Sequence, residues 1–311
     1  MSQTCGYTSL TAAIQFNASL DVYRLLVNAC PEVTQRQDEG GRLPLRCALE
    51  HRFNDGNIVR LLCDSKAAVM DSDHIGRNTL HISLDRLVPN PQIVELLLKQ
   101  APDACEQKAK SGELPVHVAY HRYAQALRHV EARPHSISAQ RDCEEWWNVV
   151  VMVVAGTTKH MRFPSVLHAA LSTGAPIEVV SKLAKIYPEA LSESDEEGNY
   201  PVMVAARMGP LNCKDAIVNL LLDLEPGLAS RLDKDGRSVL AVVAESLGIA
   251  ERTVYRLVCA CPDAVRCVDP VRKMYPVLIA ASQPLEGSQR ELQQLGTIYE
   301  LMLAAPDLVD N

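Results

Sequence analysis

Aromatic residues are scarce in this chain, which holds three Phe and two Trp among its 311 residues. An apolar share of 47% is nevertheless enough for a core, so that core must consist mainly of Leu, Val, Ile and Ala. Aromatic side chains are typical of strands, and their scarcity favours closely packed short helices over a β-sandwich.

The chain also lacks a surplus of positive charge and a long hydrophobic run. Its net charge of −7 gives no general attraction for nucleic acid or anionic membranes. The longest uninterrupted apolar run, Val149–Ala155, is far too short to span a bilayer. Residues Met1–Ala13 lack the charged start and apolar stretch of a secretory signal. We therefore expect a protein of the cytoplasm, or alternatively of the nucleus, with no membrane insertion.

None of the ten cysteines forms a Cys-x-x-Cys pair. Most stand where related segments carry Ala or another small residue, which predicts small hydrophobic side chains in a reducing compartment. The alternative is a zinc site of Cys259, Cys261 and Cys267, although no paired spacing completes it. His117 and His121 could also share a metal on one helix face, but no Glu stands between them. We expect no metal and no other cofactor.

One short phrase, by contrast, recurs seven times along the chain. It reads Leu43–Ala48 in its first copy and Leu114–Ala119 in its third. The third residues of the seven copies are Leu45, Leu80, Val116, Leu167, Val202, Leu240 and Val277. Their spacings are 35, 36, 51, 35, 38 and 37, and a period in this range is the signature of stacked repeats.

Each repeat reads as a turn followed by two helices. A turn such as Asp38–Gly41 comes first, because Gly supplies a positive φ and Asp can bond its own backbone. A proline such as Pro44 then opens a short helix, where a missing N–H costs nothing. Apolar residues at helical spacing, such as Ile93, Val94 and Leu97, predict a second helix, which a recurring Pro ends.

The turn, the phrase and the helical pair together resemble the ankyrin repeat. Its Thr-Pro-Leu-His motif is matched most closely by Asn78–His81, Leu114–His117 and Val166–Ala169. The resemblance covers residues 8–311 and implies an all-α, ankyrin-type solenoid of about eight helix-turn-helix repeats with short extended turns. The first and last units depart from it by losing the His. TPR or HEAT units are the alternative, but TPR units lack the opening Pro and the Asp–Gly turn.

We expect a single domain, residues 1–311, in which each repeat completes the apolar layer of the next. The repeats are placed at 8–41, 42–76, 77–112, 113–163, 164–198, 199–236, 237–273 and 274–311. The fourth is longer by about fifteen residues, as its spacing of 51 shows, and the extra length is placed between its helices at 120–142.

This inserted segment is predicted to be a basic loop projecting from an otherwise acidic protein. Between His121 and Arg141 its only acid is Glu131. Its other arginines are Arg122, Arg128 and Arg133. Such a loop is suited to grip an acidic peptide or a phosphate group. The alternative is a solvated insertion without a binding role.

Both tryptophans follow directly, on a segment that takes the position of a second helix. Adjacent residues of a helix point about 100° apart, so one of Trp146 and Trp147 is expected to pack inward and the other to lie near the surface. An exposed Trp is a common interface anchor. Alternatively, the two residues cover an enlarged gap between repeats.

Gly-x-Ser-x-Gly, P-loop and Gly-x-Gly-x-x-Gly patterns are all missing, so we expect no enzyme activity. The resemblance implies that partner proteins bind the concave face formed by the turns and first helices. Candidate contact residues, transferred by repeat position, are Glu39, Arg42, Arg46, His74, Arg77, Asp85, Glu197 and Asn199, joined by Arg122, Arg128, Arg133, Trp146 and Trp147.

The leading interpretation is a scaffold or adaptor that binds other proteins, does not bind nucleic acid, and is monomeric on its own. Two alternatives remain open. One is a structural subunit of a larger assembly, docked through Trp146 or Trp147. The other is the ankyrin module of a longer signalling enzyme.

Overall fold

The computed structural model describes residues 8–51, 55–161, 163–208, 214–246, 249–283 and 288–308. Within these ranges there are α-helices and short 3-10 turns but no β-strand, only two isolated bridges, Ser72–Asn78 and Leu232–Ser238. The chain divides into two compact units, Met1–Arg162 and Phe163–Asn311. The single continuous domain expected from the sequence stays a prediction.

The first unit contains helices α1 to α9. Its 3-10 turns are Pro31–Gln35 and Pro102–Cys105. The helices are α1 Ser9–Gln15, α2 Leu20–Ala29, α3 Pro44–Glu50, α4 Gly56–Leu62, α5 Lys66–Met70, α6 Thr79–Leu84, α7 Pro91–Gln100, α8 Pro115–Ala132 and α9 Ile137–His160.

The second unit contains helices α10 to α17 and four 3-10 turns. The turns are Pro188–Leu191, Pro226–Ser230, Pro262–Arg266 and Pro306–Leu308. The helices are α10 Val166–Ser172, α11 Ile177–Ile186, α12 Pro201–Arg207, α13 Lys214–Leu224, α14 Val239–Glu245, α15 Glu251–Ala260, α16 Pro276–Ala281 and α17 Ser288–Ala304.

Proline sets the boundaries of the repeats, as the sequence predicts. Pro44 and Pro115 stand at the first positions of α3 and α8. Pro102, in contrast, marks the end of a helix, α7. A residue that precedes Pro avoids helical geometry, and Ala101 accordingly has φ −141° and ψ 82°. The second repeat has no such Pro; there the Ser65 hydroxyl accepts the Ala68 N–H at 3.2 Å and opens α5 instead.

Within each unit the helices form two rows. The first helices of successive repeats pack against one another, as α3 does on α6 and α12 on α14. The second helices form a parallel row, as α4 does with α7 and α13 with α15. The third residue of every recurring phrase is buried between the rows, and these residues are Leu45, Leu80, Val116, Leu167, Val202, Leu240 and Val277. Each unit is therefore a stack of helical hairpins.

The fourth repeat ends differently from the others. Its second helix, α9, continues to His160, through the chain positions at which other repeats form a 3-10 turn and the next Asp turn. Gly156 lets α9 approach the turn Pro102–Cys105, because a Cβ there would stand 3.1 Å from Cys105 Sγ. The division between the two units falls directly after this helix, at Arg162.

Candidate interaction surface

A buried Asp organises the turn before α3. This residue is Asp38, and its Oδ1 accepts the backbone N–H groups of Gly40 and Arg42, both at 2.9 Å. The Arg42 guanidinium donates through Nε to Asp38 at 2.9 Å and through Nη1 to Glu50 at 3.2 Å. The carboxylate therefore closes the turn, and the Arg42 side chain is fixed along α3.

The next turn repeats this arrangement. Arg77 donates through Nε to Asp73 at 2.9 Å and through Nη1 to Asp85 at 3.1 Å. Burial alone raises the pKa of Asp73, but the hydrogen bonds from the backbone and side chain of Arg77 outweigh it, so the pKa ends below its usual value. Arg42 and Arg77 are thus half-buried members of internal networks and stabilise the turns.

Two of the expected contact residues are buried, which corrects the expectation that they are exposed. Arg46 lies where a first helix faces the following repeat, and its Nη1 donates to the carbonyl of Ser72 at 2.6 Å. The Asn199 side chain donates through Nδ2 to the Asp195 carboxylate at 3.0 Å within its own turn. A contact with the next turn takes the Arg46 side chain away from solvent, and a contact within its own turn does the same for Asn199. The position of a residue in the repeat reveals neither contact.

Four other expected contact residues are exposed. Glu39, His74 and Glu197 stand at the tips of their turns, and Asp85 follows the end of α6. Three of them are carboxylates and the fourth is a histidine. Asp85 already pairs with Arg77 and Arg122, so the turn tips offer separate polar groups of acidic rather than basic character.

The inserted segment forms a long helical hairpin, and the expectation of a loop is wrong. Helix α8 has 18 residues and α9 has 24, whereas α3 has seven. Because a helix rises 1.5 Å per residue, α8 extends about 16 Å further than a first helix such as α3. The turn between α8 and α9 is only Arg133–Ser136.

The local sequence explains why this segment is helical. No Gly or Pro occurs between Val116 and Arg133, so nothing interrupts the helix that Pro115 opens. Pro134 then bars Arg133 from helical geometry, and the Ser136 hydroxyl starts α9 by accepting the Ala139 N–H at 3.3 Å. This lack of breaking residues is the sequence signal that predicts the hairpin.

Both tryptophans are buried, so the expectation that one of them lies near the surface is also wrong. Trp146 is 2% exposed and Trp147 is 8% exposed. The Trp147 ring packs on Tyr123 of α8 with ring centroids 5.4 Å apart and planes inclined by 51°. Helix α9 contacts both α8 and α7, so its buried sector is wide enough to include two adjacent residues. Neither Trp is placed to anchor an external partner.

The far end of the hairpin, residues 128–141, is exposed and basic, and we call it the hairpin tip. Arg128 and Arg133 are exposed and make no ion pair with the described residues. Arg141 pairs only with its neighbour Asp142, at 3.5 Å. Arg122 lies nearer the core, where it binds Asp85, directly after α6. The hairpin tip therefore carries three of the four arginines of the inserted segment on solvent-facing positions.

An exposed apolar side chain lies within this basic surface. Ile137, the first residue of α9, is 82% exposed. Sequence reasoning missed Ile137 as a candidate contact residue. The available signal is its position directly after the helix cap Ser136, which places it in the first turn of α9. A surface that exposes both cationic groups and an apolar residue matches a partner that is acidic and supplies an apolar side chain.

The link between successive repeats decides the fold. His81 of α6 donates through Nε2 to the carbonyl of Glu113 in the next turn, at 3.1 Å. His168 of α10 makes the same bond to the carbonyl of Asn199, at 3.0 Å. Each His lies in the recurring phrase and joins its first helix to the following turn. The chain has the ankyrin-repeat fold.

Comparisons with solved structures find ankyrin repeats with high coverage but low structural similarity. The ankyrin repeat domain of Bcl-3, titled a unique member of the IkappaB protein family, is 18% identical, with a TM-score of 0.36 over 93% of this chain and 98% of that one. The ankyrin repeat protein EF0377 is 14% identical, with a TM-score of 0.35 over 77% and 90%. With TM-scores this low, the assignment rests on the repeat geometry above.

A third similar structure is a complex of the predatory endopeptidase Bd0816 from Bdellovibrio bacteriovorus with the immunity protein Bd3460. The matching chain is 16% identical, with a TM-score of 0.28 over 81% of this chain and 97% of that one. No protein-family model matches this sequence, and no curated protein matches it either.

The described part of the chain also bears on metal binding and on membrane insertion. It contains no cluster of three His, Cys, Asp or Glu residues arranged to hold a metal ion. No described helix combines the length and apolar character of a membrane span. His117 serves the start of α8, where its Nδ1 accepts the Leu114 N–H at 3.0 Å.

The described cysteines are free thiols that range from buried to exposed. Burial raises the pKa of Cys47 and of Cys105 to about 12, so both stay protonated and act as small hydrophobic side chains. Cys30, Cys259 and Cys267 are exposed. Cys259 lies near the end of α15, and Cys30 and Cys267 lie directly beside 3-10 turns. Packing against the next repeat does not cover these positions.

Proposed function

We propose that this ankyrin-repeat protein is a non-catalytic adaptor that binds a partner protein, with the hairpin tip as its recognition element. The ankyrin fold is generally a protein-interaction module. The observation that carries the proposal is that Arg128, Arg133 and Arg141 are all exposed at the hairpin tip, which also exposes Ile137. The matching partner is an acidic protein segment that brings an apolar side chain to Ile137.

The turn tips make a secondary contact surface in this proposal. Glu39, His74 and Glu197 are exposed there, and Asp85 is exposed as well although it already binds Arg77 and Arg122. They supply carboxylates and one imidazole, whereas the hairpin tip carries three arginines against the single acid Glu131. We therefore assign orientation to the turns and attraction to the hairpin tip.

The exposed thiols support placing the protein in a reducing compartment. Cys30, Cys259 and Cys267 are solvent-facing, and no disulfide joins the described cysteines. Free exposed thiols persist where glutathione and thioredoxin keep them reduced. We propose the cytoplasm, with the nucleus as a second reducing compartment.

Affinity capture with two matched triple variants tests the adaptor proposal. The hairpin variant carries Arg128→Gln, Arg133→Gln and Arg141→Gln, which removes three exposed charges and keeps side-chain length. The control carries Lys185→Gln, Lys234→Gln and Arg252→Gln, three exposed cations of the second unit. Partners that the wild type retains should be lost from the hairpin variant and kept by the control. Equal recovery by both variants would remove the hairpin tip from recognition.

A further inference from the structure

Helix α17 is apolar on two opposite sides. One side faces the core of the second unit and buries Thr297 and Leu301. The other side exposes Leu292, Leu295 and Tyr299, which are 70%, 58% and 60% exposed. At 100° per residue these three side chains lie within a sector of about 60°, roughly opposite Leu301. A helix with apolar residues on opposite sides is normally covered on both.

The second helices of this unit form a row, and α17 stands at its end among the described residues. Helix α13 lies between α11 and α15, and accordingly buries Ile217, Val218, Leu221 and Leu222. Helix α15 lies between α13 and α17. The outer side of α17 thus has the apolar character of an internal helix, whereas a repeat that ends a stack normally has a polar outer side.

Helix α16 shows the same feature at the position that links repeats. His81 and His168 occupy the fourth position of the recurring phrase and bond the following turn. Leu278 occupies that position in α16 and is exposed. An apolar side chain has therefore replaced the polar link. Both helices of the last repeat present the kind of surface that elsewhere packs against another helical hairpin.

The stripe on α17 has the spacing of a helix–helix seam. Leu292, Leu295, Tyr299 and Met302 are three, four and three residues apart, which is the a/d pattern of helices packed side by side. None of the four stripe residues is charged, and Glu291 lies about 20° beyond Met302 at the edge of the stripe. Two identical stripes related by a two-fold axis therefore meet with an apolar centre and a polar rim.

The exposed apolar area on α16 and α17 approaches the area that one partner contributes to a protein interface. At about 200 Å² for a large side chain, the exposed fractions of Leu278, Leu303 and the four stripe residues leave roughly 600 Å². A monomer rarely exposes an apolar patch larger than a few hundred Å², and a standard interface buries about 800 Å² on each partner. Two copies of this surface together would bury about 1,200 Å², which is the lower end of the range for stable interfaces.

We propose that the outer surface of α16 and α17 is a homodimer interface, in which the last repeats of two copies pack end to end with α17 against α17. The dimer continues, across a two-fold axis, the stacking of helical hairpins within the second unit. It replaces the monomer expected from the sequence. The hairpin tip lies in the other unit, so this proposal does not depend on the proposed function.

Sedimentation velocity of the 311-residue chain over a concentration series tests the dimer. The wild type should convert from a 34.2 kDa species to one of twice that mass, with a dissociation constant of about 1–10 μM. Leu295→Glu and, separately, Tyr299→Glu should each weaken the dimer at least ~100-fold, because each buries a charge in an apolar seam. Circular dichroism should show unchanged helix content, since both positions are exposed in the monomer.

Two matched controls place the same charge on other exposed apolar positions. Ile137→Glu on the hairpin tip and Leu25→Glu on α2, which are 82% and 68% exposed, should leave the dissociation constant unchanged. A wild type that remains monomeric throughout, or a dimer that survives Leu295→Glu, overturns the proposal. Association blocked by Leu25→Glu, or species larger than a dimer, would indicate head-to-tail stacking and also overturn it.

Discussion

Arg237 ties its own turn to the next one through Asp269. Its Nε donates to Asp269 Oδ2 at 2.7 Å, and its Nη2 donates to Glu245 at 2.6 Å. The Asp269 side chain is fully buried, so this ion pair is shielded from solvent. A single guanidinium thus joins two successive repeats, where the preceding Arg42 and Arg77 join a turn to its own helix.

Replacing Arg237 should destabilise the second unit. Arg237→Met leaves Asp269 buried without its cation, and breaking a buried pair in this way costs about 3 kcal/mol in the free energy of unfolding. Urea unfolding followed by circular dichroism measures the change. Arg266→Met is the matched control, because it removes an equivalent but exposed ion pair with Asp307 and should leave the urea midpoint unchanged.

The free energy of unfolding should fall as the pH drops below about 5. Burial by itself raises the pKa of Asp269, but hydrogen bonds from the Arg272 backbone, the Arg237 side chain and the Val271 backbone lower it below its usual value. Asp38 and Asp73 have lowered pKa values through equivalent bonds. Carboxylates depressed in the folded state contribute stability above their unfolded pKa and lose it as they protonate.

Urea midpoints at pH 7, 5, 4 and 3 measure this dependence. Arg237→Met should flatten the pH dependence, because the Asp269 carboxylate then loses part of the interaction that depresses its pKa. A midpoint that does not change between pH 7 and pH 3 would contradict the assignment of stabilising roles to these carboxylates.

Trp fluorescence should report two buried indoles. Emission is expected at wavelengths typical of an apolar environment, with weak quenching by acrylamide in the native state and strong quenching in urea. Trp147→Ala should lower the free energy of unfolding by about 3–5 kcal/mol, since it removes the ring that packs on Tyr123. Efficient quenching of one Trp in the native protein would show that its side chain is exposed.

The thiols should react in two classes. Native-state alkylation with iodoacetamide, mapped by mass spectrometry, should label Cys30, Cys259 and Cys267 first because their side chains are exposed. Cys47 and Cys105 should react only on unfolding, since both are buried and their pKa values are raised to about 12. Early labelling of Cys105 would indicate that α9 does not cover it.

The repeats could be predicted from the sequence because their signals are local. Pro44 and Pro115 fix the start of a helix through their own geometry, and Asp38 closes its turn with the next few residues. The third residue of each copy of the phrase, such as Leu45, is buried. Such features need no knowledge of distant contacts, so the period and the helical pairs follow from the residues alone.

The candidate site depended on contacts that the sequence does not show. Arg46 is buried because its guanidinium reaches Ser72 in the next turn, 26 residues away. Trp146 and Trp147 are both buried because α9 packs on two neighbours at once. The sister first helices end after about seven residues, which predicts a loop for the inserted segment, whereas no local breaker stops α8.

The most direct test of the adaptor proposal is a titration of the hairpin tip with a defined acidic probe. A fluorescein-labelled Glu-rich peptide containing one Leu is titrated with protein, and anisotropy is followed at low and at physiological salt. The variant lacking the charges of Arg128, Arg133 and Arg141 should bind at least ~10-fold more weakly than the wild type and show a smaller salt dependence. The Lys185, Lys234 and Arg252 control should bind like the wild type, and equal affinities for all three proteins would contradict the account.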